Sequence, residues 1–363
     1  MYHNPVKILE TDNWNVILQQ QLAQLNSTAP LVITSNGNIK RHQLDKKLNG
    51  YQFFTDIENY PTFESCQRAI DLSKNANCDS VIALGGGSVM DTAKVLIAAI
   101  NTKLENLHDL LSYKGNYSND LSKIFIPTTH GTASEVTMWG TIWNYQEKQK
   151  YSLANPALYP DVAILDPALS LSMDLKLSIS TTLDALSHSF ETLWNINSNS
   201  KSINFAIDAI KVIFEEVPDL KSKPDDIDIR RRLLKASNLA GLAFSNTKTA
   251  AAHSISYPLT FSFGIPHGIA CSMPIVPLLN INRDFMTDNL ERLLDTLGID
   301  FVELKNQIIN IPEGIVDFKL SAWGVQASDF DEIVDRSFTK SRISNNVIDL
   351  SREDVYNLLY EIL

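Results

Sequence analysis

The sequence predicts an α/β domain followed by an all-helical domain, and two patterns carry that prediction. Over residues 1–165, short apolar runs alternate with helical stretches, which is typical of a mostly parallel sheet. After Pro167 the apolar spacing becomes helical and stays helical to Leu363. A chain of 363 residues with 44% hydrophobic residues can bury two ordinary cores. We therefore expect two domains, 1–165 and 166–363, that meet at a packed hinge near residue 166.

The elements of the first domain follow from its apolar runs. Strands are expected at 31–35, 80–84, 123–129 and 162–167, and helices near 12–25, 62–76 and 88–101. Residues 139–154 alternate apolar and polar side chains around a polar break at 144–150, which predicts a β-hairpin attached to the sheet. In the second domain the helical pattern breaks at 218–226, 262–268 and 309–316.

Composition excludes several classes of protein. The chain has 31 Lys plus Arg against 42 Asp plus Glu, a net charge of -11, without interleaved aromatic and basic residues, so we expect no nucleic-acid partner. No run approaches the ~20 apolar residues of a membrane span, and the polar start is no signal peptide, so we expect a cytoplasmic protein. Cys66, Cys78 and Cys271 are scattered without metal-ligand spacing and are expected to be reduced, buried or incidental thiols.

A glycine turn follows the strand expected at 80–84. Three glycines precede Ser88, which opens an amphipathic helix with Asp91 three residues on, a capping-box pattern. Such a turn lets backbone N–H groups and the positive end of the helix approach a pyrophosphate. The sequence of this segment matches neither the GxGxxG motif nor the P-loop motif. A tight strand-to-helix turn that binds no ligand could have the same sequence.

Four residues suit a metal site. Asp184 and His188 are four apart in a helical segment and would share one face. His253 lies in an Ala-rich helical stretch, and His267 in a Pro-His-Gly turn. Each alone has an ordinary explanation, as a solvated, core or turn residue. Together, three imidazoles and one carboxylate suit Fe²⁺ or Zn²⁺ and leave room for a substrate oxygen.

Five segments complete a family pattern. They are GGGSVMDTAK (85–94), PTTHGTASEVT (127–137), YPDVAILDP (159–167), DALSH (184–188) and IPHG (265–268). In this order and spacing, the chain resembles the iron-containing (group III) alcohol dehydrogenases nearly end to end. The resemblance implies a Rossmann-like nucleotide domain, a helical metal domain as in dehydroquinate synthase, and an active site in the cleft between them.

The resemblance also implies roles for particular residues. By position, the metal ligands would be Asp184, His188, His253 and His267. The cofactor would be held at Gly86, Gly87, Ser88, Asp91, Thr128, Thr129, Thr132 and Lys150. The implied cofactors are Fe²⁺, with Zn²⁺ as an alternative, and NADH or NADPH, and the implied assembly is a homodimer.

Within the family, two segments resemble the phosphonoacetaldehyde reductase (hydroxyethylphosphonate dehydrogenase) branch, namely 150–160 and 240–268. That branch implies reduction of 2-phosphonoacetaldehyde to 2-hydroxyethylphosphonate. A dianionic substrate needs local positive charge in this acidic chain. Lys248 is the first candidate for that contact, and Lys340 and Arg342 are weaker ones; each also fits a solvated loop residue.

Three positions bear on chemistry and cofactor choice. Many family members have a histidine, suited to proton relay, at the position of Tyr257, and a phenol with a pKa near ~10 is a poorer base. His130, where small residues are common, is a candidate to face the substrate or the nicotinamide. After the strand at 31–35 the chain has Ser35 and Asn36 in place of an acidic residue, with Lys40 and Arg41 nearby, so both NAD and NADP stay open.

Three classes of function therefore remain. The first is the dehydrogenase, acting on a phosphonate or on small neutral aldehydes and alcohols. The second is a related enzyme such as a dehydroquinate synthase or a glycerol-1-phosphate dehydrogenase, against which the motif spacing argues. The third is a nucleotide-binding protein without chemistry, against which four intact ligand positions argue.

Overall fold

The computed structural model describes residues 2–74, 76–118, 120–339 and 342–363. These residues form two compact units. The α/β unit comprises 5–129 and 133–172, and the helical unit comprises 2–4, 130–132 and 173–363. The predicted fold class is confirmed, whereas the boundary expected near residue 166 stays a prediction. Lys340, one of the weaker candidates for anion binding, lies outside the described residues.

The α/β unit is built on a six-stranded sheet with the strand order β1-β8-β5-β4-β2-β3, in which every pairing is parallel. The strands of the unit are β1 (Lys7–Glu10), β2 (Pro30–Ile33), β3 (Gln52–Phe54), β4 (Ser80–Gly85), β5 (Ser122–Pro127), β6 (Trp139–Asn144), β7 (Gln149–Ala154) and β8 (Val162–Leu165). The four expected strands correspond to β2, β4, β5 and β8. The sequence missed β1 and β3, since both are short, half-exposed edge strands without a continuous apolar run.

Strands β6 and β7 form the expected hairpin, but the prediction that it attaches to the sheet is wrong. The two strands pair only with each other in the assigned sheets. Gly140 of β6 lies so close to the following helix that an added Cβ would be 3.1 Å from the backbone oxygen of Asp91. The hairpin therefore packs on that helix instead of extending the sheet.

Helices cover both faces of the sheet. They are α1 (Trp14–Gln24), α2 (Asn36–His42), α3 (Leu44–Lys47), α4 (Phe63–Ser73), α5 (Gly87–Thr102) and α6 (Leu107–Ser112). Side chains alternate along each strand: Leu31 and Val81 join the core with α4 and α5, whereas Val32 and Ile82 join the core with α1 and α3. Burial on both faces explains why the central strands read as continuous apolar runs.

The helical unit surrounds one long, buried helix, α7. Its helices are α7 (Leu175–Leu193), α8 (Ser200–Ser222), α9 (Ile227–Thr247), α10 (Ala251–Phe263), α11 (His267–Ser272), α12 (Ile275–Asn282), α13 (Thr287–Leu297), α14 (Phe301–Asn310), α15 (Phe330–Ser337) and α16 (Arg352–Glu361). Neighbours α8, α9 and α11 pack on α7. Among the described residues, no helix has both the length and the apolarity to cross a membrane.

Two expectations about this unit need correction. The break expected from residue 218 begins later, because α8 continues through Pro218 to Ser222. His267 does not lie in a turn; it is the first residue of α11, after Pro266 at the N-cap position. Gly264, with φ +67, ends α10 in the left-handed conformation and starts the short connection between the two helices.

Candidate metal centre and glycine turn

One face of α7 carries three ionisable side chains, all buried. Asp184 and His188 lie one turn apart, and their Oδ1 and Nδ1 atoms are 3.8 Å apart. Glu191 follows three residues later and is fully buried. Helical spacing places all three on the same face, which points into the centre of the helical unit.

Helix α10 brings His253 to that face. Its backbone N–H donates to Glu191 Oε1 at 3.0 Å, and its Nδ1 is 2.6 Å from Glu191 Oε2. The other ring nitrogen, Nε2, lies 3.5 Å from Asp184 Oδ1. Glu191 therefore both caps the start of α10 and orients the imidazole ring.

Helix α11 brings His267 to the same place. Its neighbour Gly268 packs so closely on α7 that an added Cβ would lie 1.9 Å from the backbone oxygen of Ser180, so only glycine fits. The ring of His267 meets the ring of His253 edge-on, with centroids 5.3 Å apart. The glycine of the Pro-His-Gly motif thus allows α11 to pack closely on α7, which places His267 next to His253.

The ring of His188 is held by stacking. It lies parallel to the ring of Phe244, with centroids 4.0 Å apart, and next to the ring of His253, with centroids 4.5 Å apart. The structure therefore brings together all four residues that the sequence analysis proposed as metal ligands.

Electrostatics at this centre favour a charged carboxylate. Burial alone would raise the pKa of Asp184, but the nearby imidazoles of His188 and His253 outweigh it, and the net pKa lies well below its usual range. Burial would likewise raise the pKa of Glu191, yet His253 lowers it. For His253, burial would lower the pKa, but Glu191 and Asp184 together raise it.

The donors fit a divalent metal ion. His253 Nε2 is buried without a hydrogen-bond partner, while Nδ1 is engaged by a carboxylate, which is the usual arrangement of a metal-ligating histidine. One donor atom each from Asp184, His253, His267 and Cys271 lies within 4.8 Å of the others. His188 is outside this group of four but reaches Asp184 as described. Carboxylate and imidazole donors suit Fe²⁺ or Zn²⁺.

Two residues at this centre were missed or misjudged from the sequence. Glu191 carries a signal that could have found it, because it lies seven residues after Asp184 and three after His188, on the same helical face. Cys271 is not an incidental thiol: its Sγ lies 3.6 Å from Asp184 Oδ1. Burial raises the pKa of the Cys271 thiol well above its ordinary value. Its spacing of four from His267 on α11 was the available signal.

In the α/β unit, the glycine turn opens a helix whose first N–H groups have no side-chain cap. The N-cap residue of α5 is Gly86, and it makes no side-chain capping bond. The expected capping box of Ser88 and Asp91 is therefore wrong, because α5 begins one residue before Ser88. The Ser88 hydroxyl accepts a hydrogen bond from the backbone N–H of Tyr60 at 3.2 Å instead. An uncapped start on a sixteen-residue helix suits an anion.

The threonines after β5 lie beside this turn. Thr128 N–H donates to the backbone oxygen of Gly85 at 3.1 Å. An added Cβ on Gly86 would lie 3.2 Å from Thr129 Oγ1. Thr132 belongs to the helical unit. Lys150, on β7, places its Nζ 5.2 Å from the centre of the Trp143 ring.

Asp91 is engaged by protein partners. It accepts a hydrogen bond from Ser134 Oγ at 3.1 Å, and burial raises its pKa although nearby Lys94 opposes the shift. Lys94 Nζ donates to the backbone and hydroxyl oxygens of Ser134 (both 2.8 Å), Thr137 Oγ1 (2.9 Å) and the backbone oxygen of Trp139 (2.9 Å). Burial lowers the pKa of Lys94 to about 8. These two residues hold the segment that follows β5.

His130 is also enclosed by protein. Its Nδ1 lies 3.2 Å from Thr182 Oγ1, and its Nε2 lies 3.3 Å from Nη1 of the buried Arg230. Burial, with the Arg230 charge, lowers the pKa of His130 to about 3. A neutral ring with both nitrogens next to protein partners fits a structural role, and a contact with substrate or nicotinamide stays a prediction.

Tyr257 and Lys248 differ in surroundings. The Tyr257 ring is buried in α10 and lies nearly parallel to the His267 ring, with centroids 6.1 Å apart and an interplanar angle of 14°. Burial raises the pKa of Tyr257 to about 12, although Arg342 opposes the shift. Lys248 is exposed at the C-terminal end of α9.

Comparison with known proteins identifies the family of this chain. The model of the iron-containing alcohol dehydrogenase family matches residues 5–167, and that of its C-terminal domain matches residues 178–363. Long-chain-alcohol dehydrogenase 1 of Geobacillus thermodenitrificans is 31% identical over 291 residues, which is 77% of this chain and 73% of that protein. The NADPH-dependent butanol dehydrogenase of Clostridium saccharobutylicum is 27% identical over 87% of this chain and 86% of its own length.

Among solved structures, the sulfoacetaldehyde reductase of Bifidobacterium kashiwanohense in complex with NAD+ has the same fold. It is 24% identical, with a TM-score of 0.92 over 100% of this chain and 98% of that chain. The chain belongs to the iron-containing alcohol dehydrogenases. The predicted enzyme class is confirmed, and the predicted cofactors, iron and NAD(P)H, are those of this family.

Proposed function

We propose that this dehydrogenase acts as a reductase of phosphonoacetaldehyde, with NAD(P)H as the hydride donor and 2-hydroxyethylphosphonate as the product. The metal centre carries the chemical part of the proposal, above all the buried His253 Nε2 that faces Asp184 Oδ1 at 3.5 Å without a hydrogen-bond partner. The choice of aldehyde is supported by the similarity of residues 150–160 and 240–268 to that branch of the family.

In this proposal Asp184, His188, His253 and His267 hold the metal ion, which when bound supplies a Lewis acid for the aldehyde oxygen. Glu191 keeps the proton of His253 on Nδ1, so that the lone pair of Nε2 stays directed at the ion. The pKa of Asp184, held below its usual range, keeps the carboxylate charged at neutral pH.

The uncapped start of α5 binds the cofactor pyrophosphate through backbone N–H groups near Gly86, Gly87 and Ser88. Thr129, packed against Gly86, would line the same site. The segment after β2 has no acidic residue at Ser35 or Asn36 that would select NADH, so the proposal covers both NADH and NADPH. Arg41 Nη1 lies 3.2 Å from Asn38 Oδ1 at the start of α2, and its charge suits a 2′-phosphate.

Tyr257 supplies the proton in the direction of aldehyde reduction. Since its pKa is raised to about 12, the phenol is neutral at physiological pH and can donate to an oxygen that gains negative charge. At neutral pH the phenolate form, which alcohol oxidation would need as the base, is scarce for the same reason.

A comparison with a related enzyme supports a two-carbon aldehyde with a charged tail as the substrate. The Bifidobacterium kashiwanohense enzyme, with which the chain shares its fold, is named for sulfoacetaldehyde, which also carries a tetrahedral oxyanion on a two-carbon aldehyde. Lys248 is exposed just before α10 and is our candidate for a contact with that tail.

The test is initial-rate kinetics of Fe²⁺-reconstituted enzyme with NADH and with NADPH, on phosphonoacetaldehyde, propanal and lactaldehyde. We expect kcat/KM for the phosphonate to exceed that for the neutral aldehydes by ~100-fold, which corresponds to roughly 3 kcal/mol of transition-state binding. Similar kcat/KM values on all three would contradict the phosphonate assignment and leave a general alcohol dehydrogenase of small neutral substrates.

Replacement of Lys248 by Ala tests its role directly. We expect a several-fold higher KM for phosphonoacetaldehyde and little change for propanal, because only the charged tail meets the ammonium group. Lys235→Ala, on α9, is the control for loss of a lysine charge from the same helix. An equal change on both aldehydes would remove Lys248 from the anion site.

A further inference from the structure

Besides Lys248, a second basic residue, Arg342, lies near the proposed metal centre, against the ring of Tyr257. The guanidinium carbon of Arg342 is 5.1 Å from the centre of the Tyr257 ring, and that ring lies nearly parallel to the His267 ring, with centroids 6.1 Å apart. These two distances laid end to end place the Arg342 guanidinium within about 11 Å of the His267 ring. Arg342 therefore contacts the aromatic ring that lies next to a proposed metal ligand.

Hydrogen bonds hold the segment that carries Arg342. Asn345 Nδ2 donates to the backbone oxygen of Thr249 at 2.8 Å, just before α10. Asn195 Nδ2 donates to the backbone oxygen of Lys248 at 3.1 Å. Asn197 Nδ2 lies 3.2 Å from Asn195 Oδ1 and 3.4 Å from Asn345 Oδ1, which joins the two contacts. The turn with Lys248 and the segment after Arg342 thus belong to one network.

The backbone of Lys248 is strained. Its φ is +63 and its ψ is 178, a conformation that glycine adopts readily and other residues avoid. Such strain persists only where the surroundings impose it, and here the Asn195 contact and the start of α10 do so. The backbone from which the Lys248 side chain extends is therefore held, at a conformational cost, just before the helix that carries His253 and Tyr257.

Local cations are needed for an anionic substrate here. The chain has a net charge of -11, and the centre itself contains the buried carboxylates of Asp184 and Glu191. The net negative charge of the chain disfavours the approach of a dianion. A neutral aldehyde would need no such compensation, so the cations distinguish the two substrate classes.

We propose that Arg342 is a specificity-determining residue that binds the tetrahedral oxyanion tail of a two-carbon aldehyde, together with Lys248. A guanidinium presents two parallel N–H donors to such an oxyanion, which an ammonium cannot do. The tail of a two-carbon aldehyde lies about 5 Å from its carbonyl oxygen, by ordinary bond lengths. The geometry behind this proposal is the stacking of Arg342 on Tyr257, whose ring is the neighbour of the His267 ring. This inference rests on the proposed function and adds the residue that selects the tail.

The experiment compares three aldehydes that differ in the tail alone: phosphonoacetaldehyde, sulfoacetaldehyde and the neutral isostere 3,3-dimethylbutanal. They are tested on wild-type holoenzyme, Arg342→Gln and Arg342→Lys. Arg336→Gln is the matched control, since Arg336 makes the same kind of contact with Phe261, one turn further along α10, with its guanidinium carbon 5.9 Å from the ring.

For Arg342→Gln we expect a loss of about 30-fold in kcat/KM on both anionic aldehydes, mainly through KM, and a change of less than about 3-fold on the neutral one. The dianionic phosphonate should lose more than the sulfonate. Arg342→Lys should recover part of the loss, and Arg336→Gln should resemble wild type on all three aldehydes.

Three outcomes would overturn the inference. Equal losses on all three aldehydes would mean that Arg342 only packs on Tyr257, and unchanged kinetics would mean that it does not meet the substrate. If Arg342→Gln does not fold, Arg342→Lys decides alone, and equal effects on charged and neutral tails would count against the proposal. A wild-type enzyme without preference for anionic tails would instead refute the proposed function, which the wild-type arm reveals separately.

Discussion

Glu191 accepts hydrogen bonds from the backbone N–H and the Nδ1 atom of His253. It is fully buried, and the neighbouring His253 lowers its pKa, which favours the charged carboxylate. Residues of this kind determine whether the ligand atoms of a metal centre point in useful directions. At the scale of single residues, the metal centre therefore depends on a fifth side chain that binds no metal itself.

We expect Glu191→Gln to lower metal affinity by about 10- to 100-fold, because an amide orients and polarises the His253 ring less well than a carboxylate. The measurement is Fe²⁺ or Zn²⁺ content after dialysis against a chelator of known affinity. Glu216→Gln is the control, since Glu216 is also buried in the helical unit and pairs with Arg232. Metal affinity equal to wild type would show that Glu191 acts only as a helix cap.

His130 predicts a pH dependence of stability. Its pKa is lowered to about 3 by burial and by Arg230, whereas an unfolded histidine titrates near ~6.5. The unfolded chain therefore takes up the proton first, and the stabilisation is complete above pH ~6.5 and is lost as the pH falls toward 3, by up to about 1.4 kcal/mol per pH unit.

The variant His130→Gln should flatten that dependence. Denaturant unfolding of the two proteins at several pH values between 4 and 7 measures the difference, and about one proton fewer should be linked to unfolding in the variant. His108, which is exposed on α6, provides the control variant His108→Gln. Parallel curves for His130→Gln and wild type would contradict the assignment of a neutral, buried ring.

At the scale of elements, one helix start in each unit bears on the proposed chemistry. Helix α5 starts without a side-chain cap at Gly86, and α10 starts under the Glu191 carboxylate. The first leaves backbone donors available to an anion, whereas the second has its donors satisfied by the protein. Of these two helix starts, that of α5 is therefore the one that suits a phosphate group.

Replacement of Gly86 by Ala should weaken cofactor binding. The added Cβ would meet Thr129 at 3.2 Å and would occupy space next to the first N–H groups of α5, so the pyrophosphate could not approach as closely. We expect the KM for NADH or NADPH to rise by about 10-fold or more, with kcat for a saturating aldehyde less affected.

Metal content and the unfolding midpoint serve as controls for Gly86→Ala, since neither the helical unit nor its ligands change. A KM for the cofactor within experimental error of wild type would show that the pyrophosphate does not bind at the start of α5.

At the scale of the whole molecule, the proposed metal centre would join three helices that are far apart in the sequence. Asp184 lies on α7, His253 on α10 and His267 on α11. A ligand that binds only the folded state raises stability according to its concentration and affinity, by about 2.7 kcal/mol at 100 times its Kd.

Removal of metal should therefore lower the thermal unfolding midpoint by several degrees, and Fe²⁺ or Zn²⁺ should restore it. Differential scanning fluorimetry of chelated and reconstituted protein measures the shift. Mg²⁺ is the control ion, because imidazole donors suit it poorly. An unfolding midpoint that Fe²⁺ and Zn²⁺ do not raise, or that Mg²⁺ raises equally, would contradict the proposed metal centre.

Much of the fold could be predicted from local sequence patterns, namely apolar runs and the helical spacing of side chains. The central strands were predicted from continuous apolar runs such as 80–84, and the α7 pair Asp184 and His188 from helical spacing. Both patterns are local consequences of backbone periodicity. The edge strands β1 and β3 were missed because half-exposed strands of three or four residues have no such run.

By itself, the sequence determined the family, the fold class and the identity of four clustered candidate ligands, since motif letters and their spacing are properties of the chain. Only the tertiary structure decided which side chains meet. The contact of Glu191 with His253 spans 62 positions, and Cys271 reaches Asp184 across 87. The Arg342 contact with Tyr257 is equally non-local. Such contacts arise from helix packing, in which the fit of Gly268 against Ser180 sets the distance, and no local pattern along the chain encodes them.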